Sequence, residues 1–171
     1  PAPSGQHRPA SRPAGEHSPR LRVLVVDDLS INALVLQQQL HSLGHSAQVL
    51  TDAREALATW AADDFDLLIT DCNMPDMDGY QLTRAVRKHE REIGRARQRI
   101  IGYSASALAG EAERCREAGM DELLVKPVDQ PSIHKVLRRT ARGGLQRARR
   151  STGAQLRGSP GVPRRPAPFS D

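Results

Sequence analysis

Three short apolar runs organise the chain, and each ends in charge. Leu21 to Val26 runs into Asp27-Asp28, Phe65 to Thr70 into Asp71, and Leu123 to Val125 into Lys126-Pro127. Continuous Val/Leu/Ile runs of this length, separated by helix-length segments, are the pattern of interior strands in a parallel sheet covered on both faces. Between them the pattern predicts a helix over about 32–43, with Leu34, Val35, Leu36 and Leu40 as its apolar face and Gly44 as its stop. A short second strand follows at Ala47–Leu50. Asp52 then caps a helix whose Ala53, Ala56, Leu57 and Trp60 recur at helical spacing. A loop through Met74-Pro75 and Asp78-Gly79 leads to a helix near Tyr80–Glu92. Arg99–Tyr103 is the fourth strand, Leu108–Ala118 a helix stopped by Gly119, Glu122–Val125 the fifth strand, and Gln130–Arg142 the last helix. Five strands alternating with five helices predict an α/β fold with right-handed crossovers and helices on both faces of the sheet.

The flanks differ in kind. Residues 1–19 and 142–171 are rich in Pro, Ser, Gly and Arg without apolar periodicity, and are expected to be linkers without fixed structure. This leaves residues 20–141 as the single folded domain. Charge follows the same division. Residues 21–141 carry 15 Lys/Arg against 18 Asp/Glu, a net of −3, whereas residues 1–20 and 142–171 carry +2 and +6. The basic overall balance therefore belongs to the tails. Cys72 and Cys115 are far apart in sequence and lack metal-ligand spacing, so a disulfide is not expected and a reducing, cytoplasmic setting is. No apolar stretch approaches the 18 residues of a membrane span. Residue 1 is Pro, which fits an internal module of a longer protein whose membrane anchor would lie elsewhere.

In open parallel sheets, ligands bind beyond the carboxyl ends of the strands, so the charges that end the apolar runs converge on one edge. Asp27 and Asp28 could simply cap the next helix. Asp71 at a neighbouring strand end makes that reading insufficient, because crowded carboxylates repel unless a cation neutralises them. Mg²⁺ suits hard oxygen ligands of this kind. An ammonium from Lys126 could pair with Asp71 and hold the oxygens of an attached phosphoryl group, and Ser104 adds a small hydroxyl at the same edge.

The motifs VVDD (25–28), ITDCNMPDMDGY (69–80), GYSASA (102–107) and LLVKP (123–127) resemble those of two-component receiver domains, the flavodoxin-like phosphoacceptor modules. The resemblance covers about 120 residues. It implies a doubly wound (βα)5 fold with strand order 2-1-3-4-5. It also implies Asp71 as phosphoacceptor, Asp27, Asp28, Asp71 and the Asn73 backbone carbonyl as Mg²⁺ ligands, and Ser104 and Lys126 as holders of the phosphoryl oxygens. The VDDxxxN run, Leu43-Gly44, DCNMP and RCREAGMDELLVKP are similar to the receivers inside hybrid sensor histidine kinases of the BvgS/EvgS type. The partners this implies are a histidine kinase domain and a histidine phosphotransfer domain. Leu123 departs from the pattern, since receivers that switch through an aromatic residue place Tyr or Phe three positions before the Lys; its presence favours relay over an aromatic switch. Two other readings compete. One is a stand-alone response regulator whose basic tail contacts DNA, against which the tail has no helix-turn-helix pattern and no aromatic interleaving. The other is a receiver-like interaction module that is never phosphorylated, against which the set Asp27, Asp28, Asp71 and Lys126 is intact.

Overall fold

The computed structural model describes residues 19–106 and 108–155. Five parallel strands, β1 (Arg22–Val26), β2 (Ser46–Leu50), β3 (Leu67–Asp71), β4 (Arg99–Ser104) and β5 (Glu122–Val125), form one sheet in the order β2-β1-β3-β4-β5. Helices α1 (Ser30–Ser42), α2 (Ala53–Ala62), α3 (Gly79–Ile93), α4 (Ala109–Ala118) and α5 (Gln130–Gln155) connect and follow them. This is the flavodoxin-like arrangement that the sequence implied.

The continuous apolar strands are explained by two cores. Side chains alternate along a strand, so Val23, Val25, Leu67, Ile69, Ile101 and Tyr103 meet α1 and α5 on one face. Leu24, Val26, Leu68, Ile100 and Cys72 meet α2, α3 and α4 on the other. In the second core the Trp60 and Phe65 rings stack 5.7 Å apart, which makes Trp60 a packing residue.

Helix boundaries follow local chemistry. The Asp52 carboxylate accepts the Glu55 N–H at 2.8 Å and starts α2. Asp78 and Gln81 form a reciprocal capping box at the start of α3, at 2.8 and 3.0 Å. Gly44 and Gly119 follow α1 and α4 with φ of 88° and 101°, the left-handed conformation expected where a helix stops.

Two expectations need correction. In α1 the residues turned to the core are Ala33, Leu36 and Leu40, while Leu34 and Val35 are 53% and 57% exposed. Apolar residues lie nearly all round this helix, so periodicity could not fix its phase; packing against Val23 and Val25 does. The last helix does not stop near Arg142 but continues to Gln155. Gly143 and Gly144 interrupt the helix formers there without breaking it, and Arg147 donates to the Gln98 side chain at 3.2 Å. The rest of the expected tail (156–171) and most of the expected N-terminal linker (1–18) lie outside the described residues.

Two contacts fix the fold next to the strand ends. A Cβ on Gly79 would collide with the Asp71 carbonyl oxygen, so the start of α3 approaches the end of β3 as closely as only glycine permits. His45, which is buried, accepts the Leu21 N–H on Nδ1 at 3.0 Å. Burial first, and then the charges of His134 and Arg20, hold its pKa below the ordinary 6.5. The native state therefore binds fewer protons than the unfolded chain in that window. The contribution is complete above pH 6.5 and is lost as pH falls through the lower native value.

Two outcomes follow. Gly79→Ala should lower stability by about 2 kcal/mol, as overpacking against backbone does, measured by urea denaturation. Unfolding free energy should fall through His45 as pH drops below the ordinary histidine value of 6.5, read by urea denaturation across pH, and His45→Gln should remove that part of the pH dependence.

Candidate functional site

Register brings the charged strand ends together. Val26 pairs with Thr70, so Asp27, the next residue, stands beside Asp71. Asp71 pairs with Tyr103, and Ser104 pairs with Val125, one residue before Lys126. Asp27, Asp71, Ser104 and Lys126 thus share the carboxyl edge of the sheet, where the sequence pattern placed them.

The side chains meet there. Lys126 Nζ donates to Asp71 Oδ2 at 2.9 Å and to Asp27 Oδ2 at 3.2 Å. It also lies 4.7 Å from the centre of the Tyr103 ring, a cation–π contact that the sequence did not signal. The Asp27 side chain is 0% exposed and that of Asp71 6%. Asp27 Oδ1 accepts the Leu29 N–H at 2.8 Å. This resembles a capping role, but α1 has no side-chain cap, and the other Asp27 oxygen faces the ammonium. The Asn73 N–H donates to Asp71 Oδ1 at 3.0 Å, which seats Asn73 at the site. The Lys126–Pro127 peptide bond is cis.

Burial shapes the electrostatics. It pushes the Asp27 carboxyl above its ordinary value, against the hydrogen bonds from Leu29 and Lys126 that favour its ionised form. Burial also works against the Lys126 charge, but the hydrogen bonds and fields of Asp71 and Asp27 prevail and hold the ammonium above its ordinary value. Asp28 is different. Among the described residues its side chain forms no hydrogen bond or ion pair, yet Asp27, Asp28 and Asp71 each offer a carboxylate oxygen within 4.8 Å of the others. Three hard oxygen donors with one left unpaired suit a small divalent cation.

Two further participants, Tyr80 and Glu111, were not legible in the sequence. Ser104 Oγ donates to Glu111 Oε1 on α4 at 3.2 Å and accepts the Ser106 N–H at 3.2 Å. The same Glu111 oxygen accepts the Tyr80 hydroxyl from α3 at 2.7 Å. Tyr80 and Glu111 lie far apart in sequence and in no recognisable spacing, so only the fold pairs them. Cys72 turns away from the site into the second core, 3.9 Å from Cys115. Burial pushes its thiol pKa to about 12, which keeps it protonated and inert. Leu123 packs against that same core.

Comparisons with known proteins agree with this geometry. The family model for the response regulator receiver domain matches residues 23–138. The virulence sensor protein BvgS of Bordetella bronchiseptica is 46% identical over 123 residues, covering 71% of this chain but 10% of BvgS. The sensor histidine kinase RcsC of Escherichia coli is 39% identical over 129 residues, covering 75% of this chain and 13% of RcsC. The chain thus spans only about a tenth of the curated relatives it matches. Among solved structures, the receiver domain of the Pseudomonas aeruginosa sensor histidine kinase PA1611, with a magnesium ion in its active-site cleft, is 32% identical with a TM-score of 0.64, covering 72% of this chain and 98% of that one. The receiver of the Arabidopsis thaliana histidine kinase CKI1, complexed with Mg²⁺ and BeF₃⁻, is 34% identical with a TM-score of 0.63, covering 70% and 89%. With its sheet order, its charged strand ends and these relatives in agreement, the chain belongs to the response regulator receiver domain family.

Proposed function

We propose that this domain accepts a phosphoryl group from a phosphohistidine onto Asp71 and passes it to a histidine phosphotransfer domain, as one station of a relay within a cytoplasmic part of a hybrid sensor histidine kinase. The observation that carries the reading is the Lys126 ammonium bridging two buried carboxylates, Asp71 and Asp27, beside the unpaired Asp28. The similarity to BvgS and RcsC supports the sensor-kinase context.

A carboxylate oxygen of Asp71 attacks phosphorus. The bond from phosphorus to the imidazole nitrogen breaks, and the ring leaves with the electron pair. Lys126 already sits on Asp71 and follows the transferred oxygens, offsetting charge where it builds up. Ser104 supplies one further donor. Asp27, Asp28, Asp71 and the Asn73 carbonyl would hold Mg²⁺, the ion named in the PA1611 and CKI1 receiver structures. Such an ion would supply positive charge that offsets the negative charge of the phosphoryl group. Asp71 is both carboxylate and acceptor, so its phosphorylation makes an acyl phosphate carrying almost two negative charges.

A partner must cover this edge to deliver its histidine. Leu29, Ile31, Leu34 and Val35 at the start of α1 are exposed, a contiguous apolar stripe directly after Asp27-Asp28. Such a stripe fits the apolar face of a helix in a phosphotransfer domain. Among the described residues no helix is long and apolar enough to cross a membrane.

Incubation with Mg²⁺ and acetyl phosphate should add one phosphoryl mass, absent in Asp71→Asn; a labelled Asp71→Asn, or an unlabelled wild type, would sink the assignment. Lys126→Ala should slow labelling by about 100-fold, the usual cost of removing one charge-stabilising donor. Leu34→Asp should reduce the rate of transfer to a histidine phosphotransfer domain by about tenfold more than it reduces labelling by acetyl phosphate, measured by rapid quench.

A further inference from the structure

The Ser104 hydroxyl has one proton and therefore one acceptor at a time. In this structure that acceptor is Glu111 Oε1, at 3.2 Å. The Glu111 carboxylate is in turn fixed by the Tyr80 hydroxyl at 2.7 Å. Tyr80 is fully packed in the second core, and the Arg114 guanidinium lies 4.5 Å from its ring centre. Glu111 and Arg114 both belong to α4, so the helix holds Tyr80 from two sides while holding the site's serine from one.

We infer that Glu111 is a latch: it retains the Ser104 hydroxyl in the unphosphorylated domain, and release of that hydroxyl to a phosphoryl oxygen frees α4. The inference rests on the phosphoacceptor reading of Asp71 and adds a positioning residue that acts through Ser104. Two physical effects give it a definite sign. A donor occupied by Glu111 must be withdrawn before it can serve the phosphoryl group, and a carboxylate one hydrogen bond from that donor opposes the arriving negative charge. Removing Glu111 must therefore favour the phosphorylated form. A merely structural role would do the reverse or nothing. Tyr80 belongs to the same device because it holds the Glu111 carboxylate in place.

The test uses the full chain with Mg²⁺ and beryllium fluoride as the phosphoryl mimic, bound mimic being read by fluorine NMR. Glu111→Ala should bind the mimic about tenfold more tightly than wild type, the size of one charge-assisted hydrogen bond. Without the mimic, its α4 amides should exchange hydrogen as fast as those of the mimic-loaded wild type. Glu111→Gln keeps an acceptor oxygen at the same place but not the charge, and should bind the mimic with an affinity between those of wild type and Glu111→Ala. Tyr80→Phe should shift affinity in the same direction, and the double variant Tyr80→Phe/Glu111→Ala should gain nothing over Glu111→Ala alone, since the two act as a unit. Unchanged or weaker binding in Glu111→Ala, with normal binding in wild type and a folded Glu111→Gln, overturns the latch while leaving the acceptor role of Asp71 intact. Failure of wild type to bind the mimic overturns both.

Discussion

The Lys126 ammonium lies between two carboxylates that the sheet has forced together. β1 and β3 are neighbours, and their register sets Asp27 beside Asp71 at nearly complete burial. Two such charges out of water repel strongly and lose hydration. The compensating cation comes from β5, two strands away from β3 in the order β2-β1-β3-β4-β5. Its side chain must pass over the end of β4, where the Tyr103 ring lies 4.7 Å beneath the ammonium. Sheet order, the register of three strand pairs and the aromatic residue on β4 all serve that single crossing. A lysine is long enough for it, and its flexible stem can follow the charge as the site changes.

The legibility of this chain divides along physical lines. Strand positions were readable because parallel strands buried on both faces carry uninterrupted apolar runs, and the charges that end those runs were readable because nothing apolar explains them. Asp52 and Gly119 were readable because caps and stops are local. The phase of α1 was not local. Ile31, Ala33, Leu34, Val35, Leu36 and Leu40 surround the helix, and only the tertiary choice of Leu36 and Leu40 as core leaves Leu34 and Val35 outside. The continuation of α5 to Gln155 was hidden by Gly143-Gly144, whose cost in a helix is about 1 kcal/mol each and is tolerated when the residues around them favour helix.

The exposed stripe on α1 and the extended α5 acquire meaning together. A domain that only folds gains by burying Leu34 and Val35; here they remain at the surface, on the helix that begins directly after the acidic pair. The cost of exposed apolar surface is offset when another protein covers it. α5 continues to Gln155, beyond Arg138, the last residue matched by the family model, so this chain carries a helical extension past the matched domain. Arg147 ties that extension to the Gln98 side chain at the start of β4, at the end of the sheet opposite the charged site. The exposed start of α1 and the contact of the α5 extension thus lie on opposite ends of the domain.

What distinguishes this site from a simple ion pair is that its donors are already engaged. Lys126 holds Asp71 and Asp27; Ser104 holds Glu111. Under the proposed chemistry each of these donors exchanges one anionic partner for another, so the number of hydrogen bonds changes little while their direction changes. Exchange of this kind has a small net free energy, because an engaged donor gives up nearly what it gains. A small difference between two fully bonded arrangements is the condition for a bistable element. It is also the condition for relay, since a phosphoryl group bound too favourably on Asp71 would not move on. The carboxylate of Glu111 serves both ends: it competes for the serine that would stabilise the acyl phosphate, and it sits on the helix whose freedom reports the outcome.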